Sequence, residues 1–315
     1  MPRPGTTLER RFLRTAAAVT VLFAVTSAAD TRAADLVRLV RFKLSAGDLA
    51  SAEAAVEDYR RRTGVDREYL SAVGWLARGA EMLRRPDRAA RYVAEVRREI
   101  PAEKPELVVP LGAAIEVEGK LRAASNGRGD AIRFLERELA LAEDVSLRSR
   151  IRKNVNLLTL EGTPAPDWTG KDDVGGSPAS PASLRGSPVL LFFWANGCGD
   201  CRDQAPTLAR VARKYRDRGL RLVAPTRLYG SEGDGKAVTP EEEKAAIAKV
   251  WRELFPGLDD VGIPVDTETM IRYGVSATPT FVLVDRKGTV RLYSPTRLSE
   301  EELSRRIEEV LAEAP

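Results

Sequence analysis

The hydrophobic pattern divides the chain into two parts of different character. Residues 35–160 lack strand signals and predict nearly continuous helix. Short polar breaks marked by Gly, Pro or Asp interrupt this segment. They lie at residues 46–48, 85–87, 101–105 and 125–129. The first part of the chain is therefore predicted to be an all-α domain.

Three of these helices share a spacing in which an alanine is followed five residues later by a glutamate. The alanines are Ala52, Ala90 and Ala131, at intervals of 38 and 41 residues. A period in this range is typical of helix-pair repeats, in which a small residue lets two helices approach closely. The domain resembles tetratricopeptide-type solenoids, although their fuller consensus is missing, and an irregular helical bundle is the alternative. We expect its surface to bind a protein partner.

The second part of the chain, residues 161–315, begins with a change of composition. Residues 161–188 are dominated by Gly, Pro and Ser, which marks a linker or the loop-rich start of a new domain. The wholly apolar run over 189–194 then predicts a central strand that is buried on both faces. A helix is predicted from Cys201 to Arg218.

Strands and helices continue to alternate beyond this point. The segment Asp285-Arg286-Lys287-Gly288 is a hairpin turn signal between two apolar strands. A β-α-β unit followed by a hairpin and a helix predicts an α/β sandwich with a mixed sheet. The further predicted elements are strands over 220–223, 263–265, 280–284 and 289–293 and helices over 240–255 and 299–313.

The first 29 residues have the layout of a secretory signal. Three arginines between positions 10 and 14 precede an apolar run over 15–26, and the small residues at 27–29 fit a cleavage site. The apolar run of 12 residues is too short to span a bilayer comfortably. We therefore expect an exported protein, periplasmic or otherwise extracytoplasmic, which contacts a membrane only if the signal persists as an uncleaved anchor.

Composition and charge exclude several classes of function. The 315 residues are 43% apolar and 30% charged, which suits a soluble globular protein. The net charge of +4 becomes +1 without the predicted signal, and the helices interleave Glu with Arg, so a nucleic-acid partner is not expected. The chain has no histidine, which excludes histidine-based catalysis and histidine metal ligands.

Both cysteines of the chain lie in one C-x-x-C motif, Cys198 to Cys201. Zinc normally takes four Cys or His ligands, so no metal site is expected. A structural disulfide is the alternative, although closing so short a loop stabilises a protein little. The placement favours a redox couple, because a helix N-terminus lowers the pKa of the Cys198 thiol. The Cys198 thiolate would attack a partner disulfide, and Cys201 would then resolve the mixed disulfide.

Two segments resemble a known family. Residues 189–208, which contain Trp194 and the C-x-x-C motif, resemble the active-site region of thioredoxin-fold proteins. Residues 273–281, Y-G-V-S-A-T-P-T-F, are similar to the loop that carries the cis-proline of that fold. The half from 161 to 315 resembles exported TlpA-like thiol–disulfide reductases of the AhpC/TSA–redoxin group.

This resemblance implies a fold, a site and partners. It implies a thioredoxin-like domain in which Thr278–Pro279 is cis and packs against the cysteines, leaving the Thr278 backbone to pair with an extended substrate segment. Trp194 belongs to the implied substrate-binding site. The implied partners are client proteins with disulfides and an upstream thiol electron donor. The Cys198–Cys201 disulfide is the redox group, and no cofactor is implied.

The motif departs from the family pattern at several positions. Gly197 replaces the usual aromatic residue, and the family's frequent buried acid is absent at both Gln204 and Phe192. Asp200, Asp203 and Gln204 are therefore the candidates for proton transfer or for tuning the cysteines. Because the negative charge of Asp200 opposes formation of the thiolate, the direction of electron flow stays open.

Three functions follow from these observations. The favoured one is an exported thiol–disulfide oxidoreductase that reduces or exchanges the disulfides of client proteins. The second is a partner-binding scaffold that carries an inert structural disulfide. The third is a peroxiredoxin-like antioxidant enzyme, although Ala195 stands where that family has threonine.

Overall fold

The structure of the protein is a computed structural model. The structure describes residues 36–170, 172–176, 179–231 and 236–313, so the predicted secretory signal lies outside it. Within these ranges, no helix combines the length and the apolar character that a membrane crossing requires.

The N-terminal part is helical, as the sequence predicts. Aspartates begin several of its helices: the Asp48, Asp66 and Asp144 side chains each accept a hydrogen bond from a backbone N–H in the first turn. The helices are α1 (36–45), α2 (Leu49–Thr63), α3 (Arg67–Met82), α4 (Pro86–Glu99), α5 (Val108–Ser125), α6 (Arg128–Leu141) and α7 (Val145–Thr159). A single 3₁₀ turn, Pro105–Leu107, precedes α5.

In two of the three helices the alanine of the proposed repeat is buried. In α4 the buried alanine is one residue earlier than the one in the repeat. Ala52 and Ala131 are fully buried, whereas Ala90 is exposed and its neighbour Ala89 is buried. Because α4 begins at Pro86, its buried stripe runs through Ala89, Val93 and Val96. This stripe has helical spacing and leaves Ala90 on the outer face.

The C-terminal part is a thioredoxin-like α/β domain with a mixed sheet, as predicted. Its strands are β1 (Asp172–Asp173), β2 (Val189–Phe193), β3 (Arg221–Val223), β4 (Pro264–Val265), β5 (Thr280–Val284) and β6 (Val290–Ser294). Its helices are α8 (Gly199–Arg216), α9 (Pro240–Leu254), α10 (Thr267–Arg272) and α11 (Glu300–Ala312). The main sheet has the order β3-β2-β5-β6, with β2 and β3 parallel and the other pairs antiparallel. The short strands β1 and β4 pair separately.

Side chains of the central strand β2 alternate between two apolar layers. Leu190 and Phe192 belong to the layer formed with α8, α9 and α11, and Leu191 and Phe193 belong to the opposite layer. Trp168, from the Gly- and Pro-rich segment, is buried in this opposite layer. The same segment pairs with β6 through backbone hydrogen bonds. It is therefore the loop-rich start of the α/β domain.

Helix α7 joins the two parts of the protein by packing against α10. The Asn156 amide donates a hydrogen bond to the Arg272 carbonyl at 3.1 Å. Gly274 lies against the Lys153 backbone, with a positive φ of 65° and no room for a Cβ atom. Glycine accommodates both demands, because it has no side chain and tolerates positive φ.

Candidate functional site

The two cysteines lie where β2 passes into α8. Cys198 is the N-cap of α8, and the backbone N–H of Cys201 donates to the Cys198 Sγ at 3.0 Å. The two sulfurs form a disulfide, with the Cα atoms 5.2 Å apart. Cys198 is partly exposed, whereas Cys201 is completely buried. Only the first cysteine can therefore be reached by a large partner.

The loop before β5 faces Cys198. The Thr278–Pro279 peptide bond is cis, as the resemblance to thioredoxin-fold proteins implies. The Cys198 Sγ lies 3.4 Å from the Thr278 carbonyl oxygen. Because β2 and β5 are antiparallel neighbours, with Phe193 opposite Thr280, the end of one strand and the start of the other meet at one sheet edge. This topology brings the two predicted motifs together.

A cleft of about 320 Å³ opens beside Cys198. Arg227 and Tyr229 line it from the segment after β3, and the Arg227 guanidinium lies 4.5 Å from the Tyr229 ring centroid. Buried Glu243 on α9 accepts the backbone N–H groups of Tyr229 and Gly230 at 2.7 and 2.8 Å, which holds this segment in place. The other lining residues are Ser146, Ser149, Ala195, Asn196, Gly197, Ser231, Val275, Ser276, Ala277 and Thr278.

The predicted role of Trp194 in substrate contact does not fit the structure. Its side chain is fully buried, its ring centroid lies 5.3 Å from that of Trp251, and its indole N–H donates to the Ala224 carbonyl at 3.1 Å. The alternation along β2 continues through Trp194 and directs its ring into the core with Phe192. Trp194 therefore supports the strand end and does not line the cleft.

Gln204 is also committed to the fold. It is buried, its amide donates to the Leu298 carbonyl at 3.0 Å, and its carbonyl accepts the Leu298 N–H at 3.1 Å. Phe192, at the other position where the family has an acid, packs between Phe255 and Phe281. Neither side chain offers a proton acceptor to Cys201.

Asp200 and Asp203 lie on the exposed side of α8. Arg297, from the loop before α11, is 3.7 Å from the Asp200 carboxylate and 2.9 Å from that of Asp203. The sequence gives no signal for Arg297, since it is far along the chain and in no motif. The described residues contain no cluster of three or more acidic or cysteine side chains that could hold a metal ion.

In the reduced protein, Asp200 and Arg297 are predicted to have opposite effects on the pKa of the Cys198 thiol. An exposed charge near the thiol acts through water and shifts its pKa by roughly a few tenths of a pH unit. We expect Asp200→Asn to lower the pKa of the Cys198 thiol by about this amount and Arg297→Ala to raise it. The pH dependence of alkylation by iodoacetamide measures both. Arg210→Ala, which removes an exposed arginine paired with Glu300, is the matched control. An unchanged pKa in both variants would contradict the prediction.

A C-x-x-C pair at a helix N-terminus, beside a cis-proline loop on a mixed sheet, defines the thioredoxin-fold thiol–disulfide oxidoreductases. Residues 162–293 match the AhpC/TSA family. The C-terminal half of the chain is therefore similar to the TlpA-like thiol–disulfide oxidoreductases of this group.

Individual relatives match the same class. Thioredoxin-like protein YneN of Bacillus subtilis (strain 168) is 29% identical over 149 residues, which cover 47% of this chain and 79% of that protein. Thiol-disulfide oxidoreductase ResA of the same organism is 26% identical over 133 residues, covering 41% and 64%. A solved thiol:disulfide interchange protein from Chlorobium tepidum TLS is 23% identical, with a TM-score of 0.39 and coverage of 48% and 98%.

Proposed function

We propose that the protein is an exported thiol–disulfide oxidoreductase that reduces or exchanges the disulfides of client proteins. The observation that supports this most is the asymmetry of the cysteine pair. Cys198 borders a cleft beside the Thr278 carbonyl, whereas Cys201 is buried behind it. A purely structural disulfide has no need of an accessible sulfur. Export rests on the predicted secretory signal.

The local electrostatics favour Cys198 as the nucleophile. The partial positive charge at the N-terminus of α8 stabilises an anion there. In the reduced protein, the Cys201 N–H that lies 3.0 Å from the Cys198 Sγ is placed to donate a hydrogen bond to the thiolate. Both effects lower the pKa of the Cys198 thiol and raise its thiolate fraction.

The proposed reaction transfers two electrons and two protons from the protein to the client. The Cys198 thiolate attacks one client sulfur, the client S–S bond breaks, and the other client sulfur leaves as a thiolate. Cys201 then loses its proton and attacks the Cys198 sulfur of the mixed disulfide. This forms the Cys198–Cys201 disulfide and releases the second client thiolate, and both thiolates take up protons. An upstream dithiol donor restores the reduced pair, so the couple needs no other cofactor.

Replacing Cys201 with alanine tests this proposal. Because the resolving thiol is gone, we expect Cys201→Ala to accumulate a mixed disulfide with a disulfide-bearing protein such as insulin. Cys198→Ala should trap none, since it lacks the attacking sulfur. Non-reducing electrophoresis and mass spectrometry of the adduct measure the difference. Absence of an adduct, together with a reduction potential below about −300 mV, would instead support an inert structural disulfide.

A further inference from the structure

One wall of the cleft comes from outside the α/β domain. Ser146 and Ser149 of α7 line it together with Cys198 and Thr278. We infer that α7 is part of the client-binding site and that Ser149 hydrogen-bonds the backbone of the client segment. This inference rests on the proposed function and adds the helical part of the chain to its site.

Ser149 opens onto the cleft with its hydroxyl free of a partner among the described residues. The residue is 3% exposed, and its hydroxyl makes no hydrogen bond with any residue in the described ranges. A hydroxyl on a cleft wall can donate to and accept from water or a ligand that enters the cleft. Ser149 is therefore available to hydrogen-bond a ligand that lies in the cleft beside Cys198.

A second unsatisfied group lies on the wall formed by the active-site loop. Asn196 is 4% exposed and lines the cleft. Its side-chain carbonyl accepts the Gly197 N–H at 3.0 Å, whereas its amide nitrogen is buried without a partner. The two walls thus each contain a polar group that the described part of the protein leaves unpaired.

The chemistry of the lining identifies the ligand as an extended peptide segment. Such a segment presents alternating N–H and C=O groups, which match the Ser149 hydroxyl, the Asn196 amide and the Thr278 backbone. Arg227 is the one charged side chain among the described lining residues. It favours an acidic residue close to the client cysteine.

The α7 wall is fixed relative to the cis-proline loop. The Asn156 amide donates a hydrogen bond to the Arg272 carbonyl, and Gly274 packs against the Lys153 backbone. Residues 275–278 follow directly along the chain and also line the cleft. A client segment that reaches Cys198 through this cleft therefore meets both α7 and the cis-proline loop, which favours exposed disulfides in narrow segments. A small disulfide does not need the contacts from α7.

Kinetics of the pre-reduced, full-length protein with two substrates test this inference. The first substrate is a linear synthetic peptide in which an acidic residue lies next to a cysteine. That cysteine forms a mixed disulfide with a fluorescent thiol. The second substrate is hydroxyethyl disulfide. Ser149→Ala should lower kcat/KM for the peptide about three- to tenfold, mainly through KM, because one hydrogen bond is lost. Ser146→Trp should lower it at least about tenfold by narrowing the cleft. Rates with hydroxyethyl disulfide should change less than about twofold in both variants.

Ser125→Trp is the matched control, because it makes the same substitution at an exposed serine of α5 that does not line the cleft. Circular dichroism verifies that each variant is folded. If the wild type reduces neither substrate, the proposed function itself fails. If the wild type reduces both, and the α7 variants keep the peptide rate or lose both rates in parallel, the inference about α7 is overturned.

Discussion

Replacing Glu116 with glutamine is expected to lower the free energy of unfolding by about 3–5 kcal/mol. Glu116 lies on α5 in the helical core, where its carboxylate is 3.2 Å from the Arg78 guanidinium and 3.3 Å from the Lys153 ammonium. Arg150 is a further, partly buried cation that interacts with both Glu116 and Arg78. Glutamine retains the shape of the side chain but leaves these cations without their counter-charge.

Chemical denaturation of the full-length protein measures this effect. Glu118→Gln is the matched control, since Glu118 lies two residues further along α5 and pairs with partly exposed Arg122. Pairs near the surface contribute about 0–1 kcal/mol, so the control should change the stability little. Equal, small losses in both variants would show that the cations around Glu116 are solvated and need no compensation.

The difference between Glu116→Gln and the wild type should depend on pH. Burial alone would raise the pKa of Glu116, but Lys153, Arg78 and Lys120 outweigh burial and hold it below its usual value of 4.5. A carboxylate whose pKa is lower in the folded state stabilises the protein above its unfolded pKa, and this contribution disappears as the pH falls through the folded pKa. The two proteins should therefore converge in stability as the pH is lowered below 4.5.

The sequence predicts best those features of the site that local pattern determines. The apolar run of β2 indicates a strand with both faces covered, and the C-x-x-C motif after it indicates a helix N-terminus. Their juxtaposition with Thr278–Pro279 follows from the resemblance to a fold whose topology is known. The mixed sheet and the cis bond agree with that expectation.

Features that depend on packing between distant segments could not be predicted. Because α4 contains two adjacent alanines, the sequence does not show which of them is buried. The buried positions of Val93 and Val96 show that it is Ala89. Trp194 next to the motif suggested a substrate contact, although the alternation of β2 puts it on the same face as Phe192. Ser149 carries no signal at all, because its importance arises only where α7 docks against the other domain.

Gly274→Ala is expected to destabilise the protein by about 3 kcal/mol or more, because it disturbs this docking. Gly274 has a φ of 65°, and an L-residue in that conformation costs about 1–2 kcal/mol. The added Cβ would also collide with the Lys153 backbone, which can move only together with α7. Overpacking of this kind costs about 1–3 kcal/mol.

A second glycine separates these two contributions. Gly219, between α8 and β3, has a φ of 93° and nothing within 4 Å of its Cβ position. Gly219→Ala should therefore show only the cost of the backbone conformation, about 1–2 kcal/mol. Thermal and chemical unfolding of both variants measure the difference. If Gly274→Ala loses no more stability than Gly219→Ala, then α7 can move away from the added Cβ at little cost in free energy.

The position of Gly274 gives this comparison a meaning for function as well as for stability. The Lys153 residue that it contacts is also the partner of Glu116, so α7 connects the buried charges of the helical core to the segment that leads into Thr278. A Cβ at position 274 would push α7 away from this segment and thereby change the spacing of Ser149 and Thr278 in the cleft. We therefore expect folded Gly274→Ala to lose activity on the peptide disulfide while it still reacts with hydroxyethyl disulfide. Gly219→Ala should lose neither activity, because its strain lies away from both walls of the cleft.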